Sequence, residues 1–500
     1  METIDFSNKN QTEILNTLGS LFETARENRD IKKLEDSIRI ANEIKIESFN
    51  TSSKAHYHYF LGNAWGYIQN LKYPKEEFPL ETKELDYQII HFRQAYSLIN
   101  KCKNKDNYNK CQILTNLGNL FSHIGRFSEA QEYFNICLRI DKRFGMAYGN
   151  RGMALFYYAR VVFEPVHQFI FMQYARKDLN RSLNSDQVYA DAKQAFRGMI
   201  LQIENAYEIK ELNDFKTYDD YYKNLDDEEI EYRKWCAENR LFINPLNDIL
   251  TESVVANDFL FTPSMILRFD EKPIYHSLFN QLKQEFVSAR FLFYEALNAD
   301  EPHFSDRDVT LMDTLDYSVY SLTLEQVKIT FRMCYSLFDK IAYFINLYLK
   351  LGHDSNRVNF RNVWYKNLLK KNGLDSNLKT TKNWAMRGLF WLSKDLYDKE
   401  FDSSIEPDAK EIASLRNFME HKSFKIVESF NEGWSEKTET FEIDRSLFYD
   451  KTFKLLKLSR SALMYLSFLI FDEERTRNET RDPNKTIPMD FLKINDDDKI

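Results

Sequence analysis

Glycine and proline are scarce in this chain, and their scarcity limits the folds open to it. The 500 residues include only 13 Gly and 10 Pro, whereas average proteins contain roughly 7% Gly and 5% Pro. A β-rich fold with many tight turns needs more of both, because they supply the backbone conformations of turns. Since 43% of the residues are hydrophobic, core-forming material is ample. The composition therefore predicts an all-α fold.

A repeat marks the N-terminal part of the chain. The characteristic positions of a tetratricopeptide repeat (TPR) are occupied by Leu114, Leu117, Gly118, Phe121, Gly125, Ala130 and Phe134. Gly152 follows Gly118 by 34 residues, one full period. Less regular units begin near Leu18 and Leu61, and a polar insertion interrupts the second. We therefore expect a TPR-like helical solenoid with a concave face for a protein or peptide; a generic helical bundle is the alternative.

The residues with the clearest chemical potential lie in segment 408–428, DAKEIASLRNFMEHKSFKIVE. Its apolar residues fall at helical spacing and predict an amphipathic helix. The polar face would carry Arg416, Asn417 and His421. A planar guanidinium beside an imidazole and an amide suits binding and attack of a phosphodiester without a metal. A simple surface ion pair between Arg416 and Glu420 is the alternative.

The sequence RNFMEH, from Arg416 to His421, resembles the R-N-x-x-x-H motif of HEPN-domain ribonucleases. Those proteins are all-helical and cleave RNA without a metal. The resemblance implies a HEPN-like helical bundle with Arg416, Asn417 and His421 as catalytic residues and no cofactor. It also implies that two motifs pair in a homodimer or higher oligomer. A TPR array fused to such a domain resembles prokaryotic toxin and antiphage proteins, in which the array would sense a trigger.

A basic segment precedes the motif. Between residues 357 and 387 there are eight positive side chains and one acid, Asp375. We predict that the positive residues contact RNA: Arg357, Arg361, Lys366, Lys370, Lys371, Lys379, Lys382 and Arg387. Aromatic residues for base stacking are interleaved: Trp364, Tyr365 and Trp384. A second run, Lys451, Lys454, Lys457 and Arg460, follows the motif, so the two runs flank it in sequence, as an RNA path that converges on the motif would require. Either run is also compatible with a merely solvated face.

These patterns predict four parts: a TPR-like array at 1–210, a helical connecting region at 211–310, a HEPN-like nuclease domain at 311–475 and a charged, partly disordered tail at 476–500. Within the nuclease domain we expect a long helix at 323–351. Its Asp339 is a candidate to orient the motif, although pairing with Lys340 or simple exposure is favoured.

No signal peptide and no membrane-length apolar run is visible, and the five cysteines are scattered, which favours a cytoplasmic protein without membrane contact. The predicted function is a metal-independent RNA endonuclease. The main rival is a TPR adaptor whose C-terminal domain binds nucleic acid or protein without catalysis. A toxin controlled by a partner nucleotidyltransferase remains a third alternative.

Overall fold

The computed structural model describes residues 6, 9–73, 79–102, 106–215, 221–269, 271–299, 302–313, 315–397, 415–419, 422–428, 434–436, 440–482, 485–489, 494 and 496–499. The predicted all-α fold is confirmed, because helices make up most of these residues and the strands among them are short. No helix in these ranges combines the length and apolar character needed to cross a bilayer.

The N-terminal helical region consists of ten helices within the described ranges. They are α1 (Gln11–Glu27), α2 (Ile31–Asn42), α3 (Thr51–Lys72), α4 (Lys83–Asn100), α5 (Asn107–His123), α6 (Phe127–Ile140), α7 (Gly145–Ala159), α8 (Pro165–Leu183), α9 (Ala190–Ala206) and α10 (Ile209–Asn213). Several begin at a side-chain cap. Asn50, for example, accepts a hydrogen bond from the backbone N–H of Ser53 at the start of α3, which satisfies one of the N–H groups left unpaired at a helix start.

Helices α3 and α4, α5 and α6, and α7 and α8 pack as consecutive pairs. In each pair a glycine of the first helix lies against a large side chain of the second: Gly62 and Phe92, Gly118 and Phe134, Gly152 and Leu179. A Cβ atom at Gly118 would lie 2.7 Å from the Phe134 ring. Any larger residue at these positions would push the two helices apart.

The C-terminal helical region contains α11 (Asp227–Glu238), α12 (Ile274–Leu297), α13 (Leu322–Tyr348), α14 (Trp384–Tyr397), the helical residues 415–419, which we call α15, and α16 (Arg445–Thr480). Helices α12, α13 and α16 pack against one another, and α14 packs against α16. Their facing surfaces are apolar: Phe331, Phe338, Leu463 and Phe468, for example, are fully buried.

Two small sheets border these helices. β2 (Ser423–Val427) pairs in parallel with β4 (Thr440–Asp444), and β3 (Trp434–Glu436) pairs antiparallel with β4. In the second sheet β1 (Met265–Arg268) pairs antiparallel with β5 (Thr486–Met489). Strand β5 lies within the segment predicted as a charged, partly disordered tail. The local charge pattern could not reveal its partner strand, because that strand lies more than 200 residues earlier in the chain.

The two helical regions meet through a close backbone contact. Gly125, in the turn between α5 and α6, has a φ of +84°. A Cβ atom at Gly125 would fall 1.9 Å from the carbonyl oxygen of Trp384 at the start of α14. A Cβ atom at Gly388 would fall 2.4 Å from the carbonyl oxygen of Gly125. Only glycine at both positions permits this approach.

The polar insertion of the second predicted repeat also reaches the C-terminal region. The backbone N–H of Leu80 donates to the carbonyl of Lys379 at 3.1 Å. The indole N–H of Trp391 donates to the carbonyl of Leu80, also at 3.1 Å. Lys394 then forms ion pairs of 2.6 Å with Glu81 and with Asp86. The insertion thus acts as a bridge between the two regions.

A buried ion-pair network completes the junction. Asp395 accepts two hydrogen bonds from Arg93, at 2.6 and 2.7 Å, and a third from Arg126. Burial alone would raise the pKa of Asp395, but the charges of Arg126 and Arg93 outweigh burial and hold this pKa well below its usual range. The carboxylate therefore stays ionised and links α4 and α6 to α14.

We predict opposite effects of alanine at two glycines. Gly125→Ala should lower the free energy of unfolding by about 3 kcal/mol or more, because the methyl group meets backbone atoms and φ is positive. Gly198→Ala is the matched control: Gly198 lies in α9 with nothing within 4 Å of the added methyl group. It should raise the free energy of unfolding by about 0.5–1 kcal/mol.

Urea unfolding of the full chain measures both values. Equal stability of Gly125→Ala and the wild type would contradict the close contact between the α5–α6 turn and α14.

Candidate functional site

The described part of the motif segment presents Arg416 and Asn417 to solvent. In α15 the apolar side chains are buried, namely Leu415, Phe418 and Met419. Arg416 and Asn417, between them, are exposed. His421 lies outside the described residues, as do Glu420 and residues 408–414. The described part of the motif is therefore a short helical stretch that faces the core with one side and offers a guanidinium and an amide on the other.

The helix predicted to run to Glu428 is interrupted. Residues 423–427 form β2 instead, paired with β4 in the register Ile426 to Ile443. Ile426 is buried as the helix pattern required, but it reaches the core from a strand. The segment SFKIV contains aromatic and β-branched residues that suit a strand. Its partner comes later in the chain, and periodicity over a short window does not detect such pairing.

Arg416 is positioned by an aromatic ring. Its guanidinium carbon lies 4.9 Å from the centroid of the Tyr335 ring on α13. Tyr335 is only 6% exposed, so the ring provides a fixed surface beneath a solvent-facing cation. A cation over an aromatic face is attracted by the ring quadrupole. Tyr335 thus limits the positions of the guanidinium while its N–H groups remain accessible to an anion.

Asp339 lies one turn beyond Tyr335 on α13. Its carboxylate accepts a hydrogen bond of 3.1 Å from the backbone N–H of Phe360. Burial raises its pKa, and the Phe360 N–H together with the positive charge of Arg416 opposes that rise. The expected pairing with Lys340 is wrong, since Lys340 binds Glu285 at 2.6 Å. Asp339 is half-buried and within electrostatic reach of Arg416 instead.

Arg332 is a further polar contact that the sequence reasoning missed. Its guanidinium donates a hydrogen bond of 3.0 Å to the carbonyl oxygen of Met419, two positions before His421 in the sequence. Arg332, Tyr335 and Asp339 are spaced by three and four residues, so they share one face of α13. This polar spacing, on a helix otherwise lined by apolar residues, could have indicated the cluster from the sequence.

The basic segment begins beside this cluster. Seven of its eight predicted RNA contacts are exposed: Arg357, Arg361, Lys366, Lys370, Lys371, Lys379 and Lys382. Burial raises the pKa of Tyr335, and the positive charge of Arg361 opposes that rise. In the described ranges no group of three or more His, Cys, Asp or Glu side chains is placed to hold a metal ion.

Residues 266–473 match the family model for LA2681-like HEPN. The matched region runs from β1 into α16 and includes the motif and the basic segment. It begins within the part of the chain predicted as a connecting region, and it includes α12, which packs on α13 and α16. We refer to residues 266–473 as the HEPN-like domain. Searches of curated proteins and of solved structures found no match.

Some residues assigned to RNA contact are inside the HEPN-like domain. Arg387 is 1% exposed, and burial lowers its pKa to about 10. Trp364 and Tyr365 are also buried, at 0% and 6% exposure. The predictions that Arg387 binds RNA and that these two rings stack on bases are therefore wrong for the folded domain. Each is part of the buried interior.

The second basic run faces the N-terminal helical region. Arg460 is buried and forms an ion pair of 2.6 Å with Asp248. Lys457 forms one of 3.0 Å with Glu132 of α6, and Lys451 is buried. The interpretation of this run as part of an RNA path is wrong, because none of its four cations is exposed. Lys457 pairs across the junction with α6, and Arg460 binds Asp248, whose other oxygen accepts hydrogen bonds from Ser128 and Tyr158 of the N-terminal region.

Proposed function

We propose that the chain is a metal-independent RNA endonuclease whose HEPN-like domain cuts and whose N-terminal region controls cutting. The observation that carries the proposal is the exposed pair Arg416 and Asn417. The two residues stand in the motif RNFMEH within a region that matches a HEPN family model. Tyr335 and Arg332 of α13 contact this segment, and Asp339 of the same helix lies within electrostatic reach of Arg416.

Arg416 would hold the scissile phosphate. A guanidinium offers several N–H donors in one plane and forms strong charge-assisted hydrogen bonds with phosphate oxygens. Because its guanidinium lies over the Tyr335 ring, less side-chain freedom is lost when the phosphate binds. The negative charge that builds up on the phosphoryl oxygens in the transition state would be stabilised by the same group.

His421 would carry the proton transfers. In the proposed step the RNA 2′-oxygen forms a bond to the adjacent phosphorus, and its proton passes to a neutral imidazole. The bond from phosphorus to the 5′-oxygen breaks, and a protonated imidazole supplies a proton to that oxygen. The products are a 2′,3′-cyclic phosphate and a 5′-hydroxyl. Histidine suits both roles because its unperturbed pKa is about 6.5. Asn417 would orient the phosphate or the imidazole.

One imidazole serves poorly as base and acid in the same turnover, so we propose that two chains pair. An exposed apolar loop next to the motif supports pairing with a second copy: Met312 is 83%, Leu315 85% and Tyr317 76% exposed. The backbone of this loop is tied to β2, since the N–H of Val319 donates to the carbonyl of Ile426 at 2.9 Å. A homodimer through the loop would therefore bring the two motif segments close together.

The seven exposed cations of the basic segment would bind the RNA backbone and guide it towards Arg416. For the N-terminal region, the repeated contact of a glycine with a large side chain supports a TPR-like array that binds a protein or peptide trigger. An unrestrained RNA nuclease harms its host, so we place the protein in toxin or antiphage defence. If the array restrains the domain, variants that weaken the junction but leave the protein folded should cut RNA faster than the wild type in the assay described below.

The first experiment is cleavage of total RNA by the purified full chain in EDTA. Arg416→Ala and His421→Ala should each lower the cleavage rate by about 10²–10⁴, since each removes a group that acts in the transition state. Asn417→Ala should have a smaller effect. Arg26→Ala is the matched control, because Arg26 lies 5.3 Å over the ring of Tyr67 in the N-terminal region. It should cut like the wild type.

Cutting that persists in His421→Ala would contradict the mechanism. If neither the wild type nor the junction variants cut RNA, the adaptor function would be favoured over the nuclease.

Pairing is tested by sedimentation. Leu315→Asp places a charge in the exposed loop and should convert the dimer to a monomer with at least tenfold slower cleavage. Leu201→Asp is the control, since Leu201 of α9 is 59% exposed and far along the chain from the loop. A wild-type monomer that cuts at full rate would exclude the paired site.

A further inference from the structure

Helix α13 carries an exposed aromatic ring on the side that supports the motif. Tyr343 is 37% exposed, although its sequence neighbours Ala342 and Phe344 are fully buried. Among the residues that the structure describes, none forms a hydrogen bond or a ring contact with Tyr343. The ring therefore belongs to the surface of the domain and is available to a ligand.

Tyr343 continues a row of side chains that already serve the candidate site. Arg332, Asp339 and Tyr343 are spaced by seven and four residues, so they lie on one side of α13. Arg332 binds the carbonyl oxygen of Met419, and Asp339 lies within electrostatic reach of Arg416. At the rise of an α-helix, Tyr343 is one turn, or about 6 Å, beyond Asp339. The ring is thus close to the motif along the helix.

The chain that leads into the basic segment is fixed beside the same part of α13. The side-chain amide of Asn346 donates to the carbonyl oxygen of His353 at 3.0 Å, and its oxygen accepts from the N–H of His353 at 3.1 Å. Further along, the N–H of Phe360 donates to Asp339. Since Asn346 and Asp339 lie on either side of Tyr343 along the helix, the chain between these two anchors passes the level of Tyr343.

This stretch brings positive charge to the surface near the ring. Arg357 lies between the two anchors and Arg361 directly follows the second, and both are exposed. One acid, Asp354, lies in the same stretch and accepts a hydrogen bond of 3.0 Å from the N–H of Asn356. On the other side of Tyr343, Lys340 of α13 is paired with Glu285 of α12.

An aromatic ring near arginines suits a single-stranded nucleic acid. The guanidinium groups bind phosphates, and a base stacks on the ring. Asp339 lies between Tyr343 and the motif along α13, and a carboxylate there disfavours a phosphate. An uncharged base is the part of a nucleotide that avoids this repulsion. A base within a duplex is already paired and stacked, so the ring favours an unpaired base.

We propose that Tyr343 stacks on an unpaired base of the RNA, next to the phosphate that Arg416 holds. The substrate class is then single-stranded RNA, and Tyr343 takes the role that the sequence had assigned to the buried Trp364 and Tyr365. This inference rests on the proposed RNA substrate, but it does not require that the RNA be cut.

Binding of a short single-stranded RNA to the full chain tests the proposal. His421→Ala is the parent protein, so that the RNA is not consumed. Adding Tyr343→Ala should weaken binding by about 5- to 100-fold, the range expected for loss of one stacked base. Tyr343→Phe keeps the ring and should bind within about twofold of the parent. Tyr343→Leu keeps apolar bulk without a flat π face and should bind as weakly as Tyr343→Ala.

A fluorescent base analogue, 2-aminopurine, reports the stacking directly. When it is placed at successive positions of the RNA, its fluorescence should fall on binding at the position that stacks on the ring. Tyr343→Ala should restore the fluorescence at that position. The same RNA annealed to its complement should bind the parent at least about tenfold more weakly, because its bases are paired.

Tyr189→Ala is the matched control, because Tyr189 is 62% exposed but precedes α9 of the N-terminal region. It should bind RNA like the parent. Circular dichroism of each variant checks that it is folded. The proposal is overturned if the parent binds no RNA, if Tyr343→Ala or Tyr343→Leu binds as tightly as the parent, or if Tyr189→Ala loses as much affinity as Tyr343→Ala.

The inference and the proposed nuclease fail in different ways. RNA binding with fluorescence loss that depends on Tyr343, by a wild type that never cuts, would support the stacking and count only against the nuclease. Cutting by Tyr343→Ala with the KM of the wild type would overturn the stacking and leave the nuclease intact, because a residue that acts by binding the substrate should raise KM when it is removed.

Discussion

Asp395 and its two arginines connect the parts of this molecule. A buried carboxylate needs compensating charge, and Asp395 obtains it from Arg93 of α4 and Arg126 at the start of α6. Because Asp395 belongs to α14 of the HEPN-like domain, the domain cannot leave the N-terminal region without exposing or stranding three charges. The glycine contact between Gly125 and Gly388 permits the short distances that these ion pairs require.

The candidate site depends less directly on the ion pairs of Asp395. Helix α13 is fixed in the core by α12 and α16, and its polar face supports the motif. Tyr335 holds Arg416, Asp339 adds a negative charge nearby, and Arg332 binds the carbonyl oxygen at Met419. The proposed nuclease site has Arg416 and Asn417 exposed and therefore open to RNA. Under the same proposal, control of cutting would act through the junction between the two helical regions.

Sequence patterns predicted the features that depend on local composition. The scarcity of Gly and Pro predicted the helices, and the apolar spacing predicted α13. Local reasoning failed where a distant partner decides the structure. Residues 423–427 form a strand because they pair with β4, and β5 forms because it pairs with β1. Arg387 belongs to the same charge pattern as Lys382, yet only the packing of α14 determines that Arg387 is buried. Side-chain direction within a basic segment is a tertiary property.

The most direct test of the nuclease is the role of the RNA 2′-hydroxyl. A short RNA that the wild type cuts at one bond would be compared with the same RNA carrying a single 2′-deoxy nucleotide on the 5′ side of that bond, both in EDTA. We predict that the deoxy substitution abolishes cutting there and that the natural RNA yields a 2′,3′-cyclic phosphate and a 5′-hydroxyl. Cutting of the deoxy substrate, or a 5′-phosphate on the product, would contradict this prediction.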